Sequence, residues 1–167
     1  MSSTVEPLAA AHKLDDFDCG NDELTAWLRH HARHAVRQGT RTYVAVDEEN
    51  SAVGYFALAP HLVERDEVTR SLGRGAPRRI PAILLATLAL DRRIQGRGLG
   101  SELLIGALTT IVDAARVAGG KMVVVDAIDA AAGGFYERYD FVPVPGNPQR
   151  LVQKLSTIAA VLELPWP

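Results

Sequence analysis

The chain has 167 residues, enough for one domain with a substantial core, and its 47% apolar and 23% charged fractions are ordinary for a globular protein. A formal charge of −2 gives no global basic field for nucleic acid, and a single cysteine, Cys19, excludes an internal disulfide framework and fits a reducing cytosol. Met1 to Ala11 lacks the basic start and apolar core of a secretion signal, and no apolar run approaches the roughly 20 residues of a membrane span, so a cytoplasmic protein is expected.

In chain order, Val5 to Ala11 reads as a short strand. Gly20-Asn21 followed by Asp22 and Glu23 announces a helix that continues to Arg37, with Gly39 as its stop. Helical spacing turns Leu24, Trp27, Leu28, His31, Ala32 and Ala35 to the core and Arg29, Arg33 and Arg37 to the opposite face. Those arginines are either a solvated surface or a stripe that follows a nucleic-acid backbone. His30 and His34 flank it without ligand partners, so no metal is expected. Thr42 to Val46 and Val53 to Ala59 read as a hairpin around Asp47-Glu48-Glu49-Asn50. Pro60 to Pro81 has little pattern and reads as a long, arginine-rich loop. Beyond the centre of the chain, Gly119-Gly120 ends a helix and Lys121 to Asp126 is a strand. Ala130 to Tyr139 is helical despite Gly133-Gly134, Phe141 to Val144 is an edge strand because of Pro143, and Pro145 to Pro148 turn into a last strand at Leu151 to Leu155. Ser156 to Pro167 is an apolar tail.

The chemistry concentrates between Ile83 and Ala107. The apolar run Ile83 to Leu90 suits a strand covered on both faces, and Leu99, Leu103, Ala107 and Ile111 recur on one face of a helix starting near Gly98. Between them, Gln95-Gly96-Arg97-Gly98-Leu99-Gly100 supplies no capping side chain. It supplies glycines, a positive helix end and an arginine, a combination that suits phosphate. A nucleotide-hydrolysing loop would need Gly-Lys before Ser or Thr, and a dinucleotide loop would need glycine where Ser101 stands. A tight turn with glycines only for packing is the remaining structural alternative.

Gln-x-x-Gly-x-Gly after Leu88-Ala89-Leu90-Asp91 resembles the acetyl-coenzyme A loop of the GCN5-related N-acetyltransferase (GNAT) family. Phe135-Tyr136-Glu137-Arg138 resembles that family's second signature. The element order agrees along almost the whole chain and implies an α/β (α+β) fold, with a mixed sheet of about six to seven strands flanked by about four helices. The resemblance implies that Leu88, Ala89, Leu90, Gln95, Gly96, Arg97, Gly98, Leu99, Gly100, Ser101, Asp129 and Phe135 contact acetyl-coenzyme A. It also implies that Tyr136 is the general acid, since a departing thiolate needs a proton that a phenol can give. Asp129 stands where the family often has Asn, and Asp140 where it usually has Gly.

Phe17 to Leu24, Trp27-Leu28 and Gly54 to Ala59 extend the resemblance to the toxin acetyltransferases of toxin–antitoxin modules. Members acetylate the α-amino group of aminoacyl-tRNA, block translation and are neutralised by a ribbon-helix-helix antitoxin; a homodimer is expected as well. Arg29, Arg33, Arg37, Arg78, Arg79, Arg92 and Arg93 are the candidate tRNA contacts. An α-amine titrates near about 8, against about 10.4 for lysine, so it needs little help from a base. The central strand offers no convincing carboxylate, which favours an α-amine acceptor. The alternatives are an acetyltransferase for a small amine or protein N-terminus, and a silent module that binds coenzyme or antitoxin.

Overall fold

A computed structural model describes residues 4–167. Residues up to Ala59 together with Ala86–Ala107 make one compact unit, and Pro60–Leu85 together with Leu108–Pro167 make the other. The strands are β1 (Thr4–Pro7), β2 (Arg41–Val46), β3 (Ala52–Glu64), β4 (Arg79–Leu90), β5 (Met122–Asp126), β6 (Val142–Val144) and β7 (Asn147–Lys154). They form a seven-stranded mixed sheet in the order β1-β2-β3-β4-β5-β7-β6, with β4 and β5 parallel. That is the expected α/β architecture. No helix among the described residues is long and apolar enough to cross a membrane.

In the first unit, Asn21 caps α1 (Asp22–Ala26) by accepting from the Leu24 N–H at 3.0 Å. The helix does not run on regularly to Arg37. A π-turn at Trp27–His31 separates α1 from α2 (Ala32–Ala35), and Ala32 donates to the Trp27 carbonyl five residues back. The wider turn shifts the helical register. Leu28, Ala32 and Ala35 stay buried, while His31, expected in the core, is exposed. Beneath this segment Leu14, Phe17, Val44, Ala52, Tyr55 and Ala89 close the core. Trp27 stacks on Tyr55 at 5.8 Å, and the Tyr55 hydroxyl donates to the Leu24 carbonyl at 2.7 Å.

In the second unit, Pro60 to Pro81 is not a loop. β3 continues to Glu64, a 3₁₀ turn covers Arg65–Glu67, α3 spans Arg70–Gly73, and β4 begins at Arg79. The apolar residues Val63, Val68, Leu72, Ala76 and Ile80 point inward against Ala82, Met122, Val124, Val144 and Val152. Arg65 ties the segment down, with its backbone N–H on the Arg78 carbonyl at 2.8 Å and its guanidinium on the Ala76 carbonyl at 3.2 Å.

Helix α4 (Leu99–Ala118) buries Leu103, Leu104, Ala107, Leu108, Ile111, Val112 and Ala115, the three- and four-residue spacing of one apolar face. Helix α5 (Ala130–Glu137) precedes β6, where Pro143 does sit on the last strand of the sheet order. The turn is shorter than expected, because Asn147 and Pro148 already belong to β7. The apolar tail begins as a helix, α6 (Leu155–Val161), that buries Leu155, Ile158 and Ala159.

Candidate functional site

Where β4 ends, a single carboxylate organises the turn. Asp91 is 1% exposed, and its oxygens accept from the Asp18 N–H (3.1 Å), the Arg93 N–H (2.9 Å) and the Arg93 guanidinium (2.8 and 3.1 Å). Burial alone would raise this carboxyl's pKa. The bonds from Arg93 and from the Asp18 backbone outweigh that and hold it below the ordinary aspartate value. Asp91 thereby caps the 3₁₀ turn Arg92–Ile94 and leads the chain into the glycine loop.

The loop is fixed from beneath. The side-chain amide of Gln95 donates to the Cys19 carbonyl at 2.8 Å and the Leu90 carbonyl at 2.9 Å. Gly96 (φ 79°) and Gly98 (φ 74°) both occupy the left-handed region, and an added Cβ at either would meet nothing within 4 Å. Their absence of side chains therefore serves backbone conformation and open access to the loop amides, not packing. Gly96, Arg97 and Gly98 are exposed, Leu99, Gly100 and Ser101 half-buried, and α4 starts at Leu99. A loop of accessible amides at the start of a 20-residue helix is a fitting cradle for a pyrophosphate. Upstream, Ala89 is buried between half-buried Leu88 and Leu90. Gly54 on β3 admits this strand end, since a Cβ there would lie 3.1 Å from Leu90 Cδ2.

In the second unit, Asp129 caps α5 by accepting from the Ala132 N–H at 2.8 Å. Tyr136 lies one residue before the helix end and is 7% exposed. Its ring is flanked edge-on by Phe135 at 5.4 Å and Phe141 at 5.9 Å. Desolvation pushes the phenol up to about 12, so it keeps its proton throughout the physiological range. Phe135 is half-buried and also contacts Tyr139. The departure at Asp140 has a backbone meaning: its φ is 68°, the left-handed conformation that glycine adopts without strain.

Residues 8–141 match the acetyltransferase (GNAT) family. The chain belongs to that family. It is also similar to a tRNA-acetylating toxin of Mycobacterium tuberculosis, with 33% identity over 96% of each chain. Among solved structures it is similar to AtaT complexed with acetyl-methionyl-tRNAfMet, at a TM-score of 0.87 and 28% identity over 96% of this chain and 99% of that one. A tyrosine-to-phenylalanine variant of the AtaT toxin, bound to acetyl-CoA and the C-terminus of the antitoxin AtaR, gives a TM-score of 0.81 and 28% identity over 96% and 98%.

The candidate tRNA contacts of this GNAT chain divide by what they already hold. Arg93 is clamped on Asp91, Arg92 lies 3.4 Å from Asp18, and Arg79 lies 3.5 Å from Glu64. Arg33 donates to the carbonyls of His12 (2.8 Å), Ala9 (3.3 Å) and Ala10 (3.4 Å), so it secures the segment after β1. Arg29 is half-buried and its Nε lacks a hydrogen-bond partner. Arg37 and Arg78 are exposed. The π-turn breaks the regular stripe that helical spacing suggested, since it changes the angle between Arg29 and Arg33. Sequence reasoning missed Asp91 and Gly54 as site-forming residues. The Leu-Ala-Leu-Asp run and a lone strand glycine were their only local signals.

Proposed function

We propose that this GNAT chain is a cytoplasmic toxin that uses acetyl-CoA to acetylate the α-amino group of aminoacyl-tRNA, which blocks translation. The observation that carries the reading is the 33% identity to a tRNA-acetylating toxin over 96% of both chains, with the glycine loop and Tyr136 intact. An antitoxin partner, of the kind AtaT meets in AtaR, belongs to the same proposal, as do the homodimer and the action of the whole chain as one acetyltransferase domain.

The residues divide the work as follows. Amides of Gly96 to Gly100 and the start of α4 hold the pyrophosphate of acetyl-CoA, with Arg97 adding charge, Gln95 keeping the loop in shape and Ser101 in the first turn. The end of β4, Leu88 to Leu90, holds the pantetheine arm, and Asp129 and Phe135 complete the coenzyme contacts. Bound acetyl-CoA supplies an activated acetyl thioester. The substrate amine forms its bond to the acetyl carbon as the carbon–sulfur bond breaks, and backbone amides polarise the carbonyl oxygen. The amine's proton leaves to water, and Tyr136 gives its phenolic proton to the departing sulfur. A phenol held at about 12 stays protonated until that moment, which suits an acid rather than a base. Arg37 and Arg78 are the arginines best placed to meet tRNA phosphates, with Arg29, Arg33, Arg79, Arg92 and Arg93 contributing charge.

Cell-free translation tests the reading. The protein with acetyl-CoA should stop synthesis from charged tRNA, and omitting acetyl-CoA should restore it. Translation that continues unchanged with both present would reject the proposal.

A further inference from the structure

We propose that His61, Asp126 and Arg150 form the acceptor site of this enzyme and recognise an α-amino ester. The inference rests on the acetyltransferase reading above and assigns the group that its second substrate must present.

The three residues come from three strands of the second unit. His61 on β3, Asp126 on β5 and Arg150 on β7 each lie two residues from a member of the buried apolar cluster: Val63, Val124 and Val152. The period of two along a strand puts all three on the same sheet face as that cluster. There they interlock. Arg150 grips Asp126 with a two-pronged fork, Nε to Oδ1 at 2.8 Å and a terminal nitrogen to Oδ2 at 2.9 Å. Its other terminal nitrogen lies 3.1 Å from His61 Nε2. A guanidinium only donates, so His61 Nε2 accepts and the ring proton sits on Nδ1. Burial, then the nearby Arg150 charge, pushes the imidazole pKa below its ordinary value and keeps the ring neutral at neutral pH. Glu67, on the 3₁₀ turn, is close enough to act on both His61 and Arg150.

The cluster therefore sets two carboxylates against one guanidinium and a neutral ring. That balance suits an amine and repels phosphate. Half-exposed Asp126 has lone pairs left to accept from an amine. The same cluster holds donors: the His61 Nδ1–H and the guanidinium N–H groups not used in the fork or on the imidazole. An α-amino ester carries an amine with a carbonyl oxygen next to it, which matches an acceptor beside donors; a lysine side chain has no such carbonyl. Asp126 directly follows Val125, the last residue of β5 paired with β4, and Asp129 three residues later caps the helix that carries Tyr136. The Asp126–Arg150 fork would by itself brace β5 against β7. The imidazole brought in from β3 and held in one tautomer is what that brace does not need.

The test uses the full chain and two small acceptors, methionine methyl ester and n-butylamine. With each kcat/KM taken per neutral amine, which removes the difference in the acceptors' own pKa values, wild type should favour the ester over the amine by at least about tenfold, the worth of one charge-assisted hydrogen bond. His61→Ala, which leaves the fork intact, and Arg150→Met should each remove most of that preference while the KM for acetyl-CoA stays within about twofold. No preference in wild type, a preference unchanged in both variants, or an equal rise in the KM for acetyl-CoA would each overturn the proposal. Aminoacyl-tRNA that stays unmodified while the ester preference and its loss are both observed would reject the tRNA reading alone and retain the acceptor site.

Discussion

Replacing Asp91 by alanine is the most informative perturbation of the loop, because one side chain holds four donors there. The two bonds from the Arg93 guanidinium contribute little, since that side chain is 57% exposed and water replaces them. The two from the N–H groups of Asp18 and Arg93 reach a buried carboxylate, at about 1.5–3 kcal/mol each for a charged acceptor. Partial access of both donors to water brings the expected total to about 2–4 kcal/mol, or about 5–15 °C in melting temperature for a chain of this size. The carboxyl's folded pKa lies below its unfolded value, so its contribution is complete above the unfolded pKa, near about 3.9, and disappears as pH falls through the lower folded one. Urea unfolding of Asp91→Ala and wild type should therefore show a constant gap from pH 5 to 8 that closes only in stronger acid. A gap below about 0.5 kcal/mol, or one that widens on acidification, would refute the assignment of Asp91 as the organising residue.

Other outcomes follow from the same geometry. Gly98→Ala should cost about 1 kcal/mol through its left-handed φ alone, and calorimetry should show weaker acetyl-CoA binding because the loop amides shift. Tyr136→Phe should lower kcat with acetyl-CoA affinity retained; the wild-type rate should show no fall from tyrosine ionisation up to about pH 10, since the group titrates at about 12. Asp140→Gly should stabilise the protein by about 0.5–1 kcal/mol in thermal unfolding by relieving the positive φ of 68°. Arg37→Glu should weaken tRNA modification at physiological salt without a change in melting temperature, whereas Arg33→Glu should also lower the melting temperature, because Arg33 holds three backbone carbonyls.

Much of this was readable in the sequence because it depends on local pattern. Gly96 and Gly98 between an apolar run and a four-residue repeat announce a strand, a loop and a helix, and Asn21 before two acids announces a helix start. What stayed hidden depends on insertions or on distance along the chain. The π-turn that exposes His31 adds one residue to a turn and leaves no trace in composition. Between Pro60 and Pro81 the inward positions Val63, Val68, Leu72, Ala76 and Ile80 are diluted by arginines and acids, and they fall on the end of β3, a connecting bend, a four-residue helix, a second connection and the start of β4, so no single period links them. Asp91 looks like an ordinary strand end until Asp18, 73 residues away, is placed against it. His61 and Arg150, 89 residues apart, meet only in the folded sheet.

The most direct test of the function is mass spectrometry of bulk aminoacyl-tRNA incubated with acetyl-CoA and this protein, with Tyr136→Phe alongside. A tRNA-acetylating enzyme should leave acetylated aminoacyl adducts with the wild type and few or none with the variant. Unmodified aminoacyl-tRNA, with acetyl-CoA still bound by the wild type, would contradict it.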